Sequence, residues 1–462
     1  MRQIKISYIG GGSRNWARTL IKDLAMEDSF SAEVYLYDLD YKAAKDNEII
    51  ANSVFARNDT IGKHKFIAVD KLNKALVNSD FVVISILPAT FKEMQSDVHL
   101  PEKYGIYQSV GDTVGPGGIL RAMRTVPIYK EFALAIKENC PNAWVINYTN
   151  PMSMCVKTLY DVFPEIKAFG CCHEVFGTQA LLARAFYEDT GIRIGKKDVK
   201  INVLGINHFT WINKAKYENY DLLKSYDKMV QKYYYTGYQE SKDYHWESNT
   251  MVGFHRVKFD LYKRYGMVAA AGDRHLAEFC PGAWYLESPE KVHEWKFNLT
   301  PVSNRIKEAK EKILITDKLV SGEEKLDIKP SGEEGVKLIK ALCGLGDFVS
   351  NCNLPNYGQV DGLPQGAIVE TNAVFAADSV KPVISGGFNA GVLNLVQKVS
   401  TEQTETVKAI LAEDYESVFN CFANDALVRI SLADARKLFV EMLENTKEYI
   451  PNAQKFIALN KN

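Results

Sequence analysis

Several side chains that can bind a metal or transfer a proton lie close together in the sequence. Cys172, His173 and Glu174 are consecutive, and His208 follows within the segment Gly205–Phe209. A thiolate and an imidazole on two neighbouring turns suit a divalent transition metal, so Cys172 and His208 are candidate ligands. The alternative is structural, because a buried free cysteine most often packs as a small apolar residue.

A second group of ionisable residues lies within the segment 269–279. It contains Asp273, Arg274, His275 and Glu278 beside a run of alanines. A charged cluster is usually a solvated face of a protein, whereas small apolar neighbours favour burial. We therefore predict a buried polar cluster here.

The start of the chain has the pattern of a nucleotide-binding unit. A predicted strand over residues 4–9 leads into a glycine turn, and residues 16–26 have the apolar spacing of a helix. The turn consists of Gly10, Gly11, Gly12 and Ser13. Glycines allow backbone N–H groups to approach a pyrophosphate, and a helix N-terminus favours its charge. The spacing is not G-x-G-x-x-G, so a glycine turn without a ligand remains the alternative.

Asp38 follows the next predicted strand, residues 33–37. An acidic side chain at the end of the second strand binds the adenosine ribose hydroxyls in such folds and repels a 2′-phosphate. This position favours NAD over NADP. Asp38 could also be the N-cap of a helix over residues 41–57, and the two roles can coexist.

Further strands are predicted over four segments: 80–87, 142–147, 168–171 and 199–204. Their continuous apolar runs are typical of a buried parallel sheet, and polar residues follow their carboxyl ends, where open α/β sheets bind ligands. Helices are predicted over 125–139, 176–190, 404–423 and 431–448, and the glycine-rich segment 105–118 is predicted to be a loop over the cofactor. A plain surface turn is the alternative for that segment. We predict two domains, residues 1–200 and residues 201–462.

Composition limits the possible classes of function. The 462 residues carry a formal net charge of −1, which gives no overall attraction to nucleic acid or anionic lipid. No apolar run is long enough to span a bilayer, and we find no signal peptide. The eight cysteines have no disulfide-scaffold spacing, which favours reduced thiols and a cytoplasmic location.

Taken together, the motifs resemble those of glycoside hydrolase family 4, the NAD- and manganese-dependent glycosidases. The resemblance extends from Ile4 to about residue 445. The segments that carry it, in order, are Ile9–Ser13, Gly115–Gly118, Asn147–Pro151, Cys172–Val175, Asn207–Phe209 and Asn353–Gly358.

The resemblance implies an α/β fold. A Rossmann-type, doubly wound parallel sheet would be followed by an α+β C-terminal domain like that of lactate and malate dehydrogenases. It also implies a redox route for hydrolysis. NAD takes a hydride from C3 of the sugar, a base removes the C2 proton, the C1 oxygen leaves, water adds, and the hydride returns. Such members work as dimers or tetramers on a small sugar.

Residue by residue, the resemblance assigns Cys172 and His208 to the metal and Asn150 to the sugar hydroxyls. His173 stands at the position of the general acid and also near the substrate. Asp273 matches the base, and Asp112 matches an acidic residue that supports it.

The sequence Cys-His-Glu-Val after the fifth predicted strand resembles the α-galacturonidase branch of the family, which cleaves α-linked galacturonides. Members that use phospho-sugars carry an arginine in the segment matching 88–97, where this chain has Met94. Arg274 or His275 would bind the uronate carboxylate, with Arg121 and Lys92 as further candidates. The alternatives are an α-glucosidase or α-glucuronidase of the same family, a malate- or lactate-type dehydrogenase, and a non-enzymatic NAD-binding regulator.

Overall fold

A computed structural model of the chain describes residues 2–240 and 245–460. Its strands are β1 (Arg2–Ile9), β2 (Phe30–Tyr37), β3 (Lys63–Val69), β4 (Phe81–Ile84), β5 (Trp144–Asn147), β6 (Lys167–Gly170), β7 (Lys200–Ile206), β8 (Phe209–Tyr217), β9 (Tyr220–Asp221), β10 (Val268–Ala269), β11 (Phe348–Pro355), β12 (Ile368–Ala376) and β13 (Ser379–Pro382).

The first ten helices are α1 (Trp16–Ala25), α2 (Tyr41–Phe55), α3 (Leu72–Leu76), α4 (Phe91–His99), α5 (Gly115–Asn139), α6 (Met152–Val162), α7 (Glu174–Thr190), α8 (Leu222–Tyr233), α9 (Arg256–Tyr265) and α10 (Asp273–Glu278). The later helices are α11 (Pro289–Glu294), α12 (Val302–Ser321), α13 (Gly335–Leu342), α14 (Ala390–Leu411), α15 (Tyr415–Asn424), α16 (Leu432–Thr446) and α17 (Ala453–Leu459).

A nine-stranded sheet organises the fold, in the order β13-β12-β11-β6-β5-β4-β1-β2-β3. The six strands β3-β2-β1-β4-β5-β6 are parallel and have the Rossmann order. Alternate side chains of β4 enter cores on opposite faces: Phe81 and Val83 lie in one core, Val82 and Ile84 in the other. A sheet buried on both faces explains the continuous apolar run, and the predicted fold class is confirmed.

The second predicted part of the chain extends this same sheet. β11, β12 and β13 add to it as antiparallel strands, with Asn353 of β11 paired to Gly170 of β6. A separate small sheet is formed by β10, β8 and β7, with β9 beside β8. Among the residues described, no helix is long and apolar enough to cross a membrane.

Residues 115–118 begin helix α5, so the prediction that the whole segment 105–118 is a loop was wrong at its end. Pro116 occupies the first turn, where its missing N–H costs nothing. The glycines permit a tight return of the chain: a Cβ on Gly118 would lie 2.5 Å from the carbonyl carbon of Thr113. Local helical periodicity starts later because this first turn lacks ordinary side chains.

The single helix predicted over 404–423 is in fact two helices, α14 and α15. Glu413 between them has φ of 56°, in the left-handed region, and the Asp414 side chain accepts a hydrogen bond from Ser417 N at 3.1 Å. A left-handed residue and an N-cap interrupt the helix, although the apolar periodicity continues across the break.

Glu402 of α14 and Asp425 form a buried pair of carboxyl groups. Asp425 accepts hydrogen bonds from Gly115 N at 3.0 Å and Leu427 N at 2.7 Å, and Glu402 donates to it. Burial and the neighbouring Asp425 carboxylate raise the pKa of Glu402 well above its usual range. The pair therefore ties α14 to the start of α5 only while Glu402 is protonated.

We expect Glu402→Gln to be more stable than the wild type at pH 8 by about 1–3 kcal/mol. The folded-state pKa of Glu402 is raised, so its contribution is complete below the unfolded pKa and is lost as pH rises through the folded value. Glutamine donates the same hydrogen bond at every pH. Urea denaturation at pH 5 and pH 8 measures the free energy of unfolding of both proteins. If it changed equally with pH in the wild type and in Glu402→Gln, the proposed proton between Glu402 and Asp425 would be contradicted.

Candidate active site

The glycine turn after β1 packs against the ends of two neighbouring strands. Gly10 has φ of 93°, and a Cβ there would lie 2.0 Å from Ser85 O, so no other residue fits. The N–H groups of Gly10 and Gly11 both donate to Tyr37 O at 2.9 Å. These two amides are already bonded within the protein, contrary to the expectation that they face a ligand.

Asp38 lies against this turn. Its Oδ2 accepts from Gly12 N at 2.8 Å and its Oδ1 from Asp40 N at 2.9 Å, while burial raises its pKa. The N-cap of α2 is Asp40, which accepts from Ala43 N at 3.1 Å, so the alternative role of Asp38 as that cap was wrong. Asp38 is left at the end of the second strand, beside the glycine turn.

Ser13 and Arg14 complete this corner. Ser13 Oγ accepts a hydrogen bond from Trp16 N at 3.0 Å and so binds the start of α1. The Nε atom of Arg14 is buried and has no hydrogen-bond partner among the residues described, and its charge lowers the pKa of Asp38 against the effect of burial. A cation at this place suits a pyrophosphate, and no sequence pattern singled it out.

Asn207, the residue before His208, connects the His208 turn to Cys172. Cys172 lies between β6 and α7, and His208 lies in the two-residue turn between β7 and β8, with φ of 62°. The Asn207 side chain hydrogen-bonds to the Cys172 thiol, whose pKa is raised by burial. Burial and the neighbouring His275 lower the pKa of His208 to about 3. His208 is therefore a neutral imidazole, the form that binds metals.

Glu174 connects this motif to the segment 269–279. Its Oε2 accepts from Gly272 N at 2.9 Å and lies 3.4 Å from His275 Nδ1. The His275 ring in turn lies against the His208 ring, with 4.1 Å between centroids. Although burial lowers the pKa of His275, the Glu174 carboxylate raises it overall. His275 is thus held by Glu174, 101 positions away in the sequence.

Asp112 is connected to His208 through the side chain of Thr113. Its Oδ1 accepts from Thr113 Oγ1 at 2.8 Å, and Thr113 Oγ1 lies 3.1 Å from His208 Nδ1. Burial raises the pKa of Asp112, but the nearby Arg121, Arg305 and His208 lower it by more, so that the pKa lies well below its usual range. The Arg121 side chain also donates from Nε to Asn150 O at 3.0 Å.

Asp273, the first residue of α10, faces the start of α9. Its Oδ1 accepts from Lys258 N at 3.1 Å, and its Oδ2 is buried without a partner among the residues described. Burial raises its pKa. In the described part of the chain Asp273 forms no salt bridge with the neighbouring Arg274, whose guanidinium contacts the Met251 sulphur instead. One carboxylate oxygen is therefore used by the fold and the other is free.

Arg274 is a buried cation without a carboxylate partner in residues 2–240 and 245–460. Only 7% of it is exposed, its Nε has no hydrogen-bond partner, and its Nη1 lies 3.1 Å from the Met251 sulphur. Burial and the nearby Arg305 lower its pKa. A buried guanidinium in this state favours an anionic ligand.

His173 lies at the edge of the cluster. Half of its side chain is exposed, and its Nδ1 lies 3.2 Å from Glu333 Oε1. It therefore borders solvent, unlike His208 and His275.

Two buried carboxyl groups support the cluster: Glu370, which the sequence did not single out, and Glu278, which belongs to the predicted polar cluster at 269–279. Glu370 of β12 accepts hydrogen bonds from three asparagine side chains, and burial raises its pKa to about 7. The donors are Asn351 at 2.6 Å, Asn353 at 3.0 Å and Asn207 at 3.3 Å. Glu278 accepts from Val110 N at 2.7 Å and Gly111 N at 2.9 Å. Glu278 thereby fixes the loop that carries Asp112.

The donor atoms fit an open metal site. In the described ranges no group of three or more His, Cys, Asp or Glu side chains is placed to hold a metal ion, and the candidate ligands Cys172 and His208 are two. The Oδ1 of Asn150, in the loop between β5 and α6, is buried and has no partner among the described residues. A catalytic metal site keeps positions open for substrate or water, and two protein ligands with an unpartnered oxygen suit that arrangement.

Comparison with known protein families decides the class. The model of the family 4 glycosyl hydrolases matches residues 5–188, and that of the family 4 glycosyl hydrolase C-terminal domain matches residues 203–428. The chain belongs to family 4 of the glycosyl hydrolases. The resemblance inferred from its motifs is thereby confirmed, and it is favoured over the alternatives of a dehydrogenase and a non-enzymatic regulator.

This family 4 glycosyl hydrolase is 57% identical over 451 residues to an α-galacturonidase of Thermoanaerobacterium saccharolyticum, covering 97% of each chain. It is 50% identical to a Bacillus subtilis protein, LplD, provisionally described as a glucosidase; the match covers 96% of this chain and all of that one, with a TM-score of 0.92.

A more distant structural neighbour of this family 4 glycosyl hydrolase is a 6-phospho-β-glucosidase of Thermotoga maritima. It is 20% identical, with a TM-score of 0.75, and covers 97% of this chain and 99% of its own. Its crystals contain manganese, NAD+ and glucose 6-phosphate. At 20% identity this similarity shows only that the two proteins share a fold.

Proposed function

We propose that this enzyme hydrolyses α-linked galacturonides, such as short fragments of pectin. The observation that carries the proposal is the 57% identity to an α-galacturonidase across 97% of both chains. The sequence Cys-His-Glu-Val at 172–175 supports it, because Glu174 contacts His275 and so holds that ring against the candidate metal ligand His208.

NAD+ and a divalent metal such as Mn2+ are the cofactors that the site fits. Gly10, Gly11, Gly12, Ser13 and Asp38 would form the nucleotide corner, and Arg14 offers the pyrophosphate a cation. Cys172 and His208 would hold the metal, with Asn150 beside the sugar hydroxyls. When bound, the nucleotide supplies reversible hydride transfer at C3 and the metal supplies Lewis-acid polarisation of the sugar oxygens.

The protein's own groups then perform proton transfer. The free Oδ2 of Asp273 accepts the C2 proton, and its raised pKa matches a general base. His173 donates a proton to the leaving oxygen at the solvent-exposed edge of the site, where Glu333 orients it. Asp112 acts through Thr113 on His208, since its hydrogen bond goes there and not to Asp273.

Arg274 is the cation that we assign to the substrate carboxylate. His275 is paired with Glu174, Arg121 donates its Nε to Asn150 O, and Lys92 is exposed on α4, whereas the Arg274 Nε is buried and unpartnered among the described residues. Met94 packs in a small apolar core on α4 with Val98, which gives a phosphate no partner there. A single carboxylate is therefore the anion that fits.

Competition between chromogenic substrates tests the proposal. We expect 4-nitrophenyl α-galacturonide to be preferred over the α-galactoside, α-glucuronide, α-glucoside and 6-phospho-α-glucoside when NAD+ and Mn2+ are present. The α-galactoside is the matched control, because it differs from the preferred substrate only at C6. Preference for a neutral or phosphorylated sugar would overturn the proposal, and preference for the glucuronide would correct its stereochemistry at C4.

The variant Arg274→Gln tests how much the contact with the substrate carboxylate contributes to activity, apart from contacts with the rest of the sugar. A charge-assisted hydrogen bond contributes about 1.5–3 kcal/mol, so kcat/KM for the galacturonide should fall roughly 10- to 100-fold. The value for the galactoside should change little. Equal losses on both substrates would assign Arg274 a structural role.

A cytoplasmic location and a dimeric or tetrameric assembly are further proposals. All eight cysteines are free thiols, which suits a reducing compartment. Light scattering of the purified enzyme tests the assembly.

A further inference from the structure

Thr113 connects a carboxylate to the imidazole of His208. The threonine is 1% exposed, and its Oγ1 lies 2.8 Å from Asp112 Oδ1 and 3.1 Å from His208 Nδ1. His208 occupies a left-handed turn position between β7 and β8, and its ring is covered on one side by His275. The ring thus has two fixed neighbours, and only the threonine reaches a ring nitrogen among the residues described.

The direction of each hydrogen bond follows from the number of protons. A threonine hydroxyl has one proton and can accept as well as donate. A carboxylate only accepts, so the hydroxyl proton points to Asp112. The same oxygen can then only accept from His208, which requires that the proton of the neutral imidazole be on Nδ1. The lone pair of His208 is therefore on Nε2.

We propose that Thr113 is a positioning residue that fixes the Nδ1–H tautomer of His208, so that Nε2 is presented as a ligand to the divalent metal. The inference rests on the metal site of the proposed function. It also explains the place of Asp112, because the carboxylate orients the hydroxyl and the hydroxyl orients the imidazole. Partners of this kind typically change metal affinity 10- to 100-fold when they are removed.

The test compares Thr113→Val with Thr113→Ser in the full-length enzyme with NAD+ present. Valine has the shape of threonine but no hydroxyl, whereas serine keeps the hydroxyl and loses only the methyl group. Free Mn2+ measured by electron paramagnetic resonance gives the dissociation constant without any turnover. We expect Thr113→Val to weaken Mn2+ binding about 10- to 100-fold and Thr113→Ser to stay within about threefold of the wild type.

His208→Ala, measured beside them, distinguishes failure of the metal site from failure of this inference alone. Unchanged Mn2+ affinity in His208→Ala would overturn the metal site itself, and with it this inference. Lost affinity in His208→Ala together with unchanged affinity in Thr113→Val would overturn the inference alone. Equal weakening in Thr113→Val and Thr113→Ser would assign the effect to packing of the methyl group and would also overturn it.

Discussion

His208→Ala and Cys172→Ser should each reduce kcat/KM for the galacturonide by at least about 1,000-fold, which corresponds to roughly 4 kcal/mol of lost transition-state stabilisation. The reason is the small number of protein ligands. The site that we propose has one thiol and one imidazole, so the loss of either would leave a metal such as Mn2+ with a single strong donor. Mn2+ is among the more weakly bound divalent ions and does not tolerate that loss.

The measurement is Mn2+ content and affinity beside turnover, with Cys171→Ser as the matched control. Cys171 is the adjacent thiol, and it hydrogen-bonds with Tyr148, whereas the Cys172 thiol hydrogen-bonds with Asn207. We expect Cys171→Ser to retain its metal. Full Mn2+ affinity in Cys172→Ser would remove this thiol from the ligand set.

Asp273→Asn should lower turnover by about 100- to 10,000-fold, the usual contribution of a general base. Asparagine still accepts the hydrogen bond from Lys258 N with its Oδ1, so the start of α9 remains supported. It cannot accept the C2 proton. In deuterated water the wild type should release galacturonate with deuterium at C2, and the residual product of Asp273→Asn should carry much less.

The pH profile gives an independent check on the same residue. Burial raises the pKa of Asp273, and the base works only when ionised, so kcat/KM should fall as pH drops through that raised value. Asp414→Asn, at the N-cap of α15 and outside the residues assigned to the site, is a control carboxylate. Undiminished deuterium incorporation by Asp273→Asn would exclude it as the base.

The sequence alone was sufficient for the framework of the protein. The strand predicted over 80–87, which the structure shortens to 81–84, and the glycine turn at 10–13 were predictable, because burial on both faces and positive φ angles leave local marks in residue type. The order of strand ends placed Asp38, Asn150 and Cys172 at one edge of the sheet, since parallel strands end on the same side. These features depend on neighbours within a few positions.

The tertiary structure decided which side chains meet. Thr113 reaches His208 across 95 positions, Glu174 reaches His275 across 101, and β11 brings Asn351 beside Cys172 across 179. No periodicity records such pairs, because each requires separate elements to pack at a particular distance and orientation. The family motifs named Cys172 and His208 as the ligands, whereas the hydrogen bonds that orient them exist only once the sheet, its antiparallel extension and α5 have assembled.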